Sequence, residues 1–470
     1  MSIYQLLRSF PHLPSLPFAD LLPEDAIHRI AREAGLDPES ESDSDLKYTT
    51  SITLWAFLSQ VLFAGHQRSY VAAVTRVITL CVLLNREPPS PDTGAYSRAL
   101  QRLPLALIQK LAHHIADTAE QQTPSEWLWK NRHVHLADGS TSSTPDTPSL
   151  QNRYPQPTTQ KPGLGFPMIR MVVLMSLATA MVTGWETGPY EGKETGETAL
   201  FRKLFDRLHP GDIVLADRYY CSYFMIALIQ ELKMDVVMRL HQRRTADFRR
   251  GRRLGSGDHI VTWDRPEKPE WMSQETYDRM PETLEVRELS VQVSAPGYRT
   301  ESLIVVTTLL DESVYTKEDL SELYHKRWLI ELDIRSLKVS LNLDVLRSKS
   351  PDMVQKEIAA AMLAYNLLRQ SLMQAAWQRP NRLSPRQLSF AAVLQATASV
   401  YALLPTWDGE RGEQLIACQL RLMATHVIGD RPGRVEPRAN KRRPKILALL
   451  MKPRAEAREE LLADGARNMT

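Results

Sequence analysis

The chain has 470 residues, a formal net charge of +3 and a sequence pI near 8.6, and 43% of its residues are hydrophobic. This length predicts two to four domains, and the composition excludes a largely disordered chain. Three widely spaced cysteines without a CxxC pair make a disulfide framework and a zinc site poor interpretations and favour a reducing compartment. The amino terminus lacks the apolar segment of a signal peptide, and the longest apolar run, residues 171–182, is too short to cross a bilayer.

Residues 1–125 are predicted to form a helical amino-terminal domain. Apolar residues recur at helical spacing in residues 51–84 and again in 97–117, and the proline-rich segment REPPSPDTGAY separates the two runs. Two helices around a short turn are typical both of a DNA-reading unit and of a simple bundle. Binding of DNA ends is therefore the functional interpretation of this domain, with the bundle as its alternative.

Residues 126–242 change to a mixture of strands and helices. HVHLADGS predicts a short buried strand ending at Asp138, and DIVLADRYY predicts a second strand ending at Asp217. Residues 140–163 are rich in Ser, Thr, Pro and Gln and predict a long loop, whereas residues 168–188 predict a β-hairpin. This alternation predicts an α/β fold with a mixed sheet.

The chain beyond residue 242 is predicted to contain three further regions. Short alternating segments predict a β-rich insertion over residues 243–310, and helical periodicity returns over 311–400 as the second part of the core. Residues 401–470 form a basic carboxy-terminal region that includes Lys441, Arg442 and Arg443.

Positive charge is concentrated in two segments, Arg239–Arg253 and Arg431–Arg458. One such segment is usually a solvated surface. Two in one chain favour a polyanionic partner, although a net charge of +3 alone does not indicate nucleic acid.

Three acids are candidate catalytic residues. Asp138 and Asp217 share the context LAD, where a sheet can hold an acid at the edge of a cleft; a cap or turn residue is the alternative for each. On a helix with about 100° per residue, Glu331 shares one stripe with Tyr324, Arg327 and Lys338. The alternative for Arg327 and Glu331 is a surface ion pair four residues apart. An adjoining apolar stripe is predicted to dock this helix on the sheet, and it consists of Leu323, Ile330, Ile334, Leu337 and Leu341.

The spacing Y-x2-R-x3-E-x6-K, carried by Tyr324, Arg327, Glu331 and Lys338, resembles the signature of the insertion-sequence-four (IS4-like) family of DDE transposases. The resemblance extends over roughly residues 130–370 through ADGS, DTP with YPQP, GLGFP, ADRYY and the KEI and AYNLLR segments. It implies a ribonuclease H-like mixed-sheet catalytic core that a β-rich insertion interrupts, with helical regions at both ends. It also implies that Asp138, Asp217 and Glu331 bind metal ions and cut and join phosphodiester bonds.

The implied chemistry explains the residue types. Two Mg²⁺ ions about 3.5–4 Å apart can activate a nucleophile and stabilise the leaving oxygen, and Mn²⁺ can substitute for them. Hard cations prefer carboxylate oxygens as ligands. Arg327 and Lys338 are expected to hold phosphates, and Tyr324 either bonds a phosphate or supports the stripe.

Three further residues are weaker DNA-binding candidates. Arg218 is expected either to touch DNA or to form a local salt bridge. Trp263 and Trp271 are candidates for stacking on a flipped base, with a core role as the alternative.

The implied partner is double-stranded DNA, both the terminal inverted repeats of an insertion sequence and the target, bound by a dimer in the synaptic complex. The expected location is the prokaryotic cytoplasm, at the nucleoid when DNA is bound and without a membrane partner. Two other functions stay open: a catalytically silent DNA-binding relative and a structure-selective nuclease on the same fold.

Overall fold

The computed structural model describes residues 10, 16–18, 21–36, 47–292, 302–379, 383–401, 409–429 and 449–463. Its centre is a nine-stranded mixed sheet with the order β3-β2-β1-β4-β5-β9-β8-β7-β6. The strands are β1 (Val134–Ser143), β2 (Met168–Ser176), β3 (Val182–Pro189), β4 (Ile213–Ala216), β5 (Asp235–Arg239), β6 (Arg252–Gly255), β7 (Asp258–Asp264), β8 (Thr283–Gln292) and β9 (Ser302–Thr307).

The first five strands form the half of the sheet that carries the candidate acids. β2 pairs antiparallel with β1 and β3, whereas β1, β4 and β5 run parallel to one another. Parallel and antiparallel pairings therefore occur in one sheet with helices before and after it, so the predicted mixed α/β fold is confirmed. These strands read as nearly continuous apolar runs because helices cover both of their faces.

Strands β6–β9 lie within the segment that was predicted to be β-rich. All four pair antiparallel, and β9 also pairs with β5, so they extend the same sheet instead of forming a separate one. An ion pair between Arg287 and Asp258 is buried where this half meets Tyr315, whose carbonyl accepts a further bond from Arg287.

Helices precede the sheet, as the periodicity of residues 51–84 and 97–117 predicted. Thr49 and Ser69 cap two of them by accepting backbone N–H bonds. These helices are α1 (Glu24–Glu33), α2 (Thr50–Leu62), α3 (Tyr70–Leu83), α4 (Thr93–Arg102) and α5 (Leu105–Gln122).

The remaining helices lie between or after the strands. They are α6 (Pro148–Arg153), α7 (Glu197–Arg202), α8 (Tyr223–Glu231), α9 (Gln274–Arg279), α10 (Lys317–His325), α11 (Trp328–Arg335), α12 (Pro351–Trp377), α13 (Phe390–Val400), α14 (Gly409–Thr425) and α15 (Arg454–Ala463). Almost all of α12 is buried, since α2, α5 and α14 pack around it. Within the described ranges, no helix has the length and apolarity needed to cross a membrane.

Two local predictions need correction. β1 does not end at Asp138 but continues to Ser143, because residues 139–143 keep their pairing with β2. The segment 140–163 is not a loop throughout, since it contains the end of β1 and helix α6, which Thr147 caps.

The helical run of residues 317–341 is interrupted twice. α10 ends at His325, and a turn at Lys326 and Arg327 leads into α11. α11 continues into a π-helical turn, Ser336–Ser340, in which the N–H of Leu341 bonds the carbonyl of Ser336. The apolar stripe predicted from regular spacing is nevertheless buried throughout, so this part of the prediction is confirmed.

Candidate active site

The two aspartates follow paired residues on adjacent parallel strands. The register of β1 and β4 pairs Leu136 with Leu215 and Ala137 with Ala216, and the next residues are Asp138 and Asp217. Leu136 and Leu215 belong to the core that includes Ile330 of α11. Because side chains alternate along a strand, Asp138 points to the same face as Leu136, towards α11.

Glu331 forms an ion pair with Arg327, a residue that also interacts electrostatically with the two aspartates. The Arg327 Nη2 donates to Glu331 Oε1 at 3.1 Å. Burial alone lowers the pKa of the Arg327 guanidinium, but the pKa is raised above its ordinary value by Tyr324, Asp217, Asp138 and Glu331. Arg327 is therefore a common electrostatic neighbour of all three candidate acids, as well as the partner in the predicted Arg–Glu pair.

Asp138 lies in a site with excess negative charge. Burial raises the pKa of Asp138 to about 6, and the nearby carboxylates of Glu197 and Glu331 also raise it. A bond from the Gly139 N–H to Oδ1, at 2.8 Å, and the charge of Arg327 oppose this rise. Among the charges that act on Asp138, the guanidinium of Arg327 thus opposes two carboxylates.

The π-helical turn directs Lys338 towards β1. Its Nζ donates to the carbonyl oxygen of Thr141 at 2.9 Å and forms an ion pair with Asp344 at the same distance. Lys338 therefore stands beside the strand that carries Asp138, although it does not follow the regular helix on which its position was predicted.

Tyr324 is 5% exposed, and burial raises the pKa of its hydroxyl. This burial favours the supporting role over a phosphate contact for Tyr324.

The other predicted site residues differ in their surroundings. Trp263 takes the core alternative and is not available for base stacking: it is 5% exposed, its Nε1 donates to Glu288, and Arg244 covers its ring at 3.9 Å. Trp271 is 38% exposed, with Arg202 over its ring at 3.8 Å, and it stays a stacking candidate.

Arg218 forms no ion pair with any described residue, and its Nε is buried without a partner there. The local salt bridge that was the alternative for Arg218 is therefore not formed within the described ranges. Lys441, Arg442 and Arg443 lie outside the described residues, so their assignment stays a prediction.

Sequence reasoning missed Glu197 and Tyr220, which lie near the two aspartates. Glu197 belongs to the segment GETALF and Tyr220 to ADRYY, and neither residue was singled out from the sequence. The carboxyl group of Glu197 packs on Gly139, where an added Cβ would stand 2.2 Å from the Glu197 Cδ. The glycine of ADGS was the available signal for such a close approach.

The family model of the transposase DDE domain matches residues 129–367 of this chain, which include every residue of the site described above. The chain belongs to the DDE transposase family. DDE transposases are enzymes that cut and join DNA, and the family generally uses divalent metal ions.

Curated relatives of this DDE transposase are bacterial. It is 25% identical over 373 residues to the transposase InsG for insertion sequence element IS4 of Escherichia coli (strain K12), covering 78% of this chain and 80% of InsG. It is 36% identical over 76 residues to the transposase for insertion sequence element IS421 of Escherichia coli, covering 16% of this chain and 20% of that protein.

Among solved structures, the piggyBac transposase synaptic complex with hairpin DNA aligns with 93% of this DDE transposase and 87% of that chain. The TM-score is 0.42 at 10% identity, which is too low to assign a fold.

The donor set of this DDE transposase fits hard divalent cations. Its nearby acids offer only carboxylate oxygens, and the raised pKa of Asp138 reflects a buried charge that a cation would stabilise. In the described part of the chain, no three His, Cys, Asp or Glu side chains are close enough to hold a metal ion together. The convergence of Asp138, Asp217 and Glu331 around one ion therefore stays a prediction.

Proposed function

We propose that this transposase cleaves DNA at the ends of an insertion sequence and joins the freed ends to target DNA by two-metal-ion chemistry. The observation that carries the proposal is the pairing of β1 with β4, after which Asp138 and Asp217 follow as the next residues. Arg327 forms an ion pair with Glu331, and its pKa is also raised by the charges of both aspartates. The similarity to InsG over most of both chains supports the insertion-sequence substrate.

Each acid has a defined role in this proposal. Asp138, Asp217 and Glu331 would hold two Mg²⁺ ions, which activate a nucleophile and stabilise the leaving 3′-oxygen when bound. The rigid sheet keeps the two aspartates in place, because β1 and β4 are paired up to the residues that precede them. Glu331 belongs to a short helix that packs on β1, so its carboxylate can approach from the side.

The basic residues of the site position the DNA backbone. Arg327 presents a planar guanidinium that can bind two phosphate oxygens, and its present partner Glu331 is then free to turn towards a metal ion. Lys338 is anchored on Thr141, so its ammonium lies where a phosphate approaching Asp138 would pass.

DNA is the partner class that the family implies, and two ends must meet for transposition. We therefore propose a dimer in the synaptic complex, with helices α1–α5 binding the transposon ends. The bundle alternative for these helices predicts instead that their surface substitutions leave end binding unchanged.

The direct test incubates the protein with a labelled duplex that carries one terminal repeat of its element. We expect nicking at the repeat boundary in Mg²⁺ or Mn²⁺, no nicking in EDTA, and strand-transfer products when a target plasmid is added. Binding without nicking in any metal would favour the catalytically silent relative. Nicking without strand transfer would favour the structure-selective nuclease.

Exposed arginines of the segment 239–253 are proposed to contact DNA phosphates. Arg243 and Arg253 form no ion pair with a described residue, whereas Asp247 already pairs with Arg249 and Arg250. Replacing Arg243 and Arg253 with Gln should lower the slope of log affinity against log salt by about 0.9 for each DNA phosphate that the variant no longer neutralises.

A salt titration of binding measures this slope for wild type and the double variant. Arg279→Gln is the control, because Glu231 and Glu275 already pair with Arg279. A slope equal to that of wild type in the double variant would return this segment to a solvated surface.

A further inference from the structure

Glu197 approaches the active site from the face of the sheet opposite α11. It is the first residue of α7, which packs on β1, β2 and β3. An ideal Cβ at position 139 would lie 2.2 Å from the Glu197 Cδ and 2.5 Å from its Oε1, so the carboxylate occupies the space that Gly139 leaves open. The Glu197 carboxylate therefore lies on the backbone next to Asp138.

No described residue forms a hydrogen bond or ion pair with the side chain of Glu197. Burial raises the pKa of Glu197 and the charge of Arg170 lowers it, but the Arg170 Nη1 donates to the carbonyl of Thr195 at 3.3 Å. By contrast Glu194, three residues earlier, pairs with Arg202 at 2.6 Å. A half-buried carboxylate without a cationic partner is unusual unless a ligand supplies the missing charge.

Tyr220 is a second and independent sign of a missing ligand at the same place. Its ring packs edge-on against Phe201, with centroids 5.2 Å apart, and Phe201 lies one helical turn after Glu197 on α7. Tyr220 is fully buried, and its hydroxyl has no hydrogen-bond partner among the described residues. Burial raises the pKa of this hydroxyl, and the negative charges of Glu197, Asp138 and Asp217 raise it further.

A buried hydroxyl without a hydrogen-bond partner is destabilising, and a water molecule bound to a metal ion among these acids would satisfy it.

We propose that Glu197 is a fourth carboxylate of the active site, which binds a divalent metal ion together with Asp138 and Asp217 from the α7 face of the sheet. Since no three acids of the described residues stand close enough to share an ion in this structure, binding of the ion would draw the three carboxylates together. This inference rests on the proposed metal centre and adds a ligand that the DDE signature does not contain. Glu331 and Glu197 then flank the aspartates from opposite faces.

The test measures Mn²⁺ binding to the full chain by electron paramagnetic resonance, without DNA. Wild type should bind Mn²⁺ more tightly than Asp138→Asn. Glu197→Gln should lower the Mn²⁺ affinity by at least about tenfold, as expected for loss of a group that binds or orients at a metal site. Glu194→Gln is the matched control, since it removes the same charge from the same segment and should leave the affinity unchanged.

A charge-conserving variant separates ligation from simple attraction. Glu197→Asp keeps the charge but withdraws the carboxylate by one methylene, so a ligand role predicts a loss close to that of Glu197→Gln. Wild-type affinity in Glu197→Asp would overturn the ligand role, and wild-type affinity in Glu197→Gln would overturn it as well. Circular dichroism should show the same fold for all variants.

The close packing of the Glu197 carboxylate on Gly139 allows a second test. Gly139→Ala should displace the Glu197 carboxylate and lower the Mn²⁺ affinity, but it should have little further effect in a Glu197→Ala background. Equal losses in both backgrounds would contradict the proposal.

The two possible failures are distinguishable. If wild type binds Mn²⁺ no better than Asp138→Asn, or does not bind it, the proposed metal centre is overturned and this inference with it. If Asp138→Asn loses binding while Glu197→Gln retains it, only the role of Glu197 is overturned.

Discussion

Replacing Asp138 or Asp217 with Asn, or Glu331 with Gln, is expected to slow strand cleavage by about a thousandfold or more. Metal ions that stabilise the charge of the transition state contribute several kcal/mol, and about 4 kcal/mol corresponds to a factor of a thousand in rate. Each substitution keeps the size of the side chain and removes one charged ligand. Binding to terminal-repeat DNA should fall little, because many contacts share the affinity.

Single-turnover cleavage of a labelled terminal-repeat duplex, measured beside binding of the same duplex, separates the two effects. Glu322→Gln is the control, because Glu322 lies on α10 as an exposed partner of Lys326 at 2.9 Å. It should cleave at the wild-type rate. An acid whose replacement leaves cleavage near wild type in Mg²⁺ would be removed from the catalytic set.

The register of the parallel strands could be anticipated from the two LAD segments. Both segments put an acid after a run of apolar residues, and the pairing of Ala137 with Ala216 makes these acids neighbours. The end of β1 could not be anticipated, because GSTSS is polar and resembles a loop. Residues 139–143 are part of β1 because they pair with β2, whose residues lie about 30 positions later in the chain.

Contacts between distant segments explain what the sequence left undetermined in the site. Nothing local to GETALF indicates that Glu197 lies on Gly139, since the packing of α7 across three strands decides it. The π-helical turn at Ser336–Ser340 contains neither Gly nor Pro, so helical spacing alone put Lys338 on a regular stripe. In the structure, the Lys338 side chain bonds the carbonyl oxygen of Thr141 and so lies beside β1.

Asp333 and Glu331 illustrate the same limit on one short helix. At about 100° per residue, helical geometry places Asp333 on roughly the opposite side of the helix from Glu331, which makes Asp333 the poorer catalytic candidate. The structure agrees, because Asp333 is only 4% exposed and accepts bonds from Arg369 at 2.8 Å and from Arg386 at 2.6 Å. The sequence could not show that these two arginines, 36 and 53 residues away, would surround it.

Asp333→Ala is therefore expected to lower the free energy of unfolding by about 3–5 kcal/mol, because it leaves two arginines in the interior without their carboxylate. Among the described residues, Arg369 retains only the hydroxyl of Tyr365 as a hydrogen-bond partner, and Arg386 retains the backbone carbonyls of Ser176 and Leu177. A loss of this size is a large share of the roughly 5–15 kcal/mol that stabilises a typical domain.

Urea unfolding followed by circular dichroism measures the change as a lower midpoint. Glu331→Gln should unfold at the wild-type urea midpoint, since the Glu331 carboxylate is 37% exposed and pairs with one guanidinium. For Asp333→Ala, the loss of DNA cleavage should be no larger than the fraction of protein that is unfolded. Glu322→Ala is the surface control and should change the stability by less than about 1 kcal/mol. If Asp333→Ala had the same urea midpoint as wild type but no longer cleaved DNA, Asp333 would act in the chemistry of the site and not in stabilising the fold.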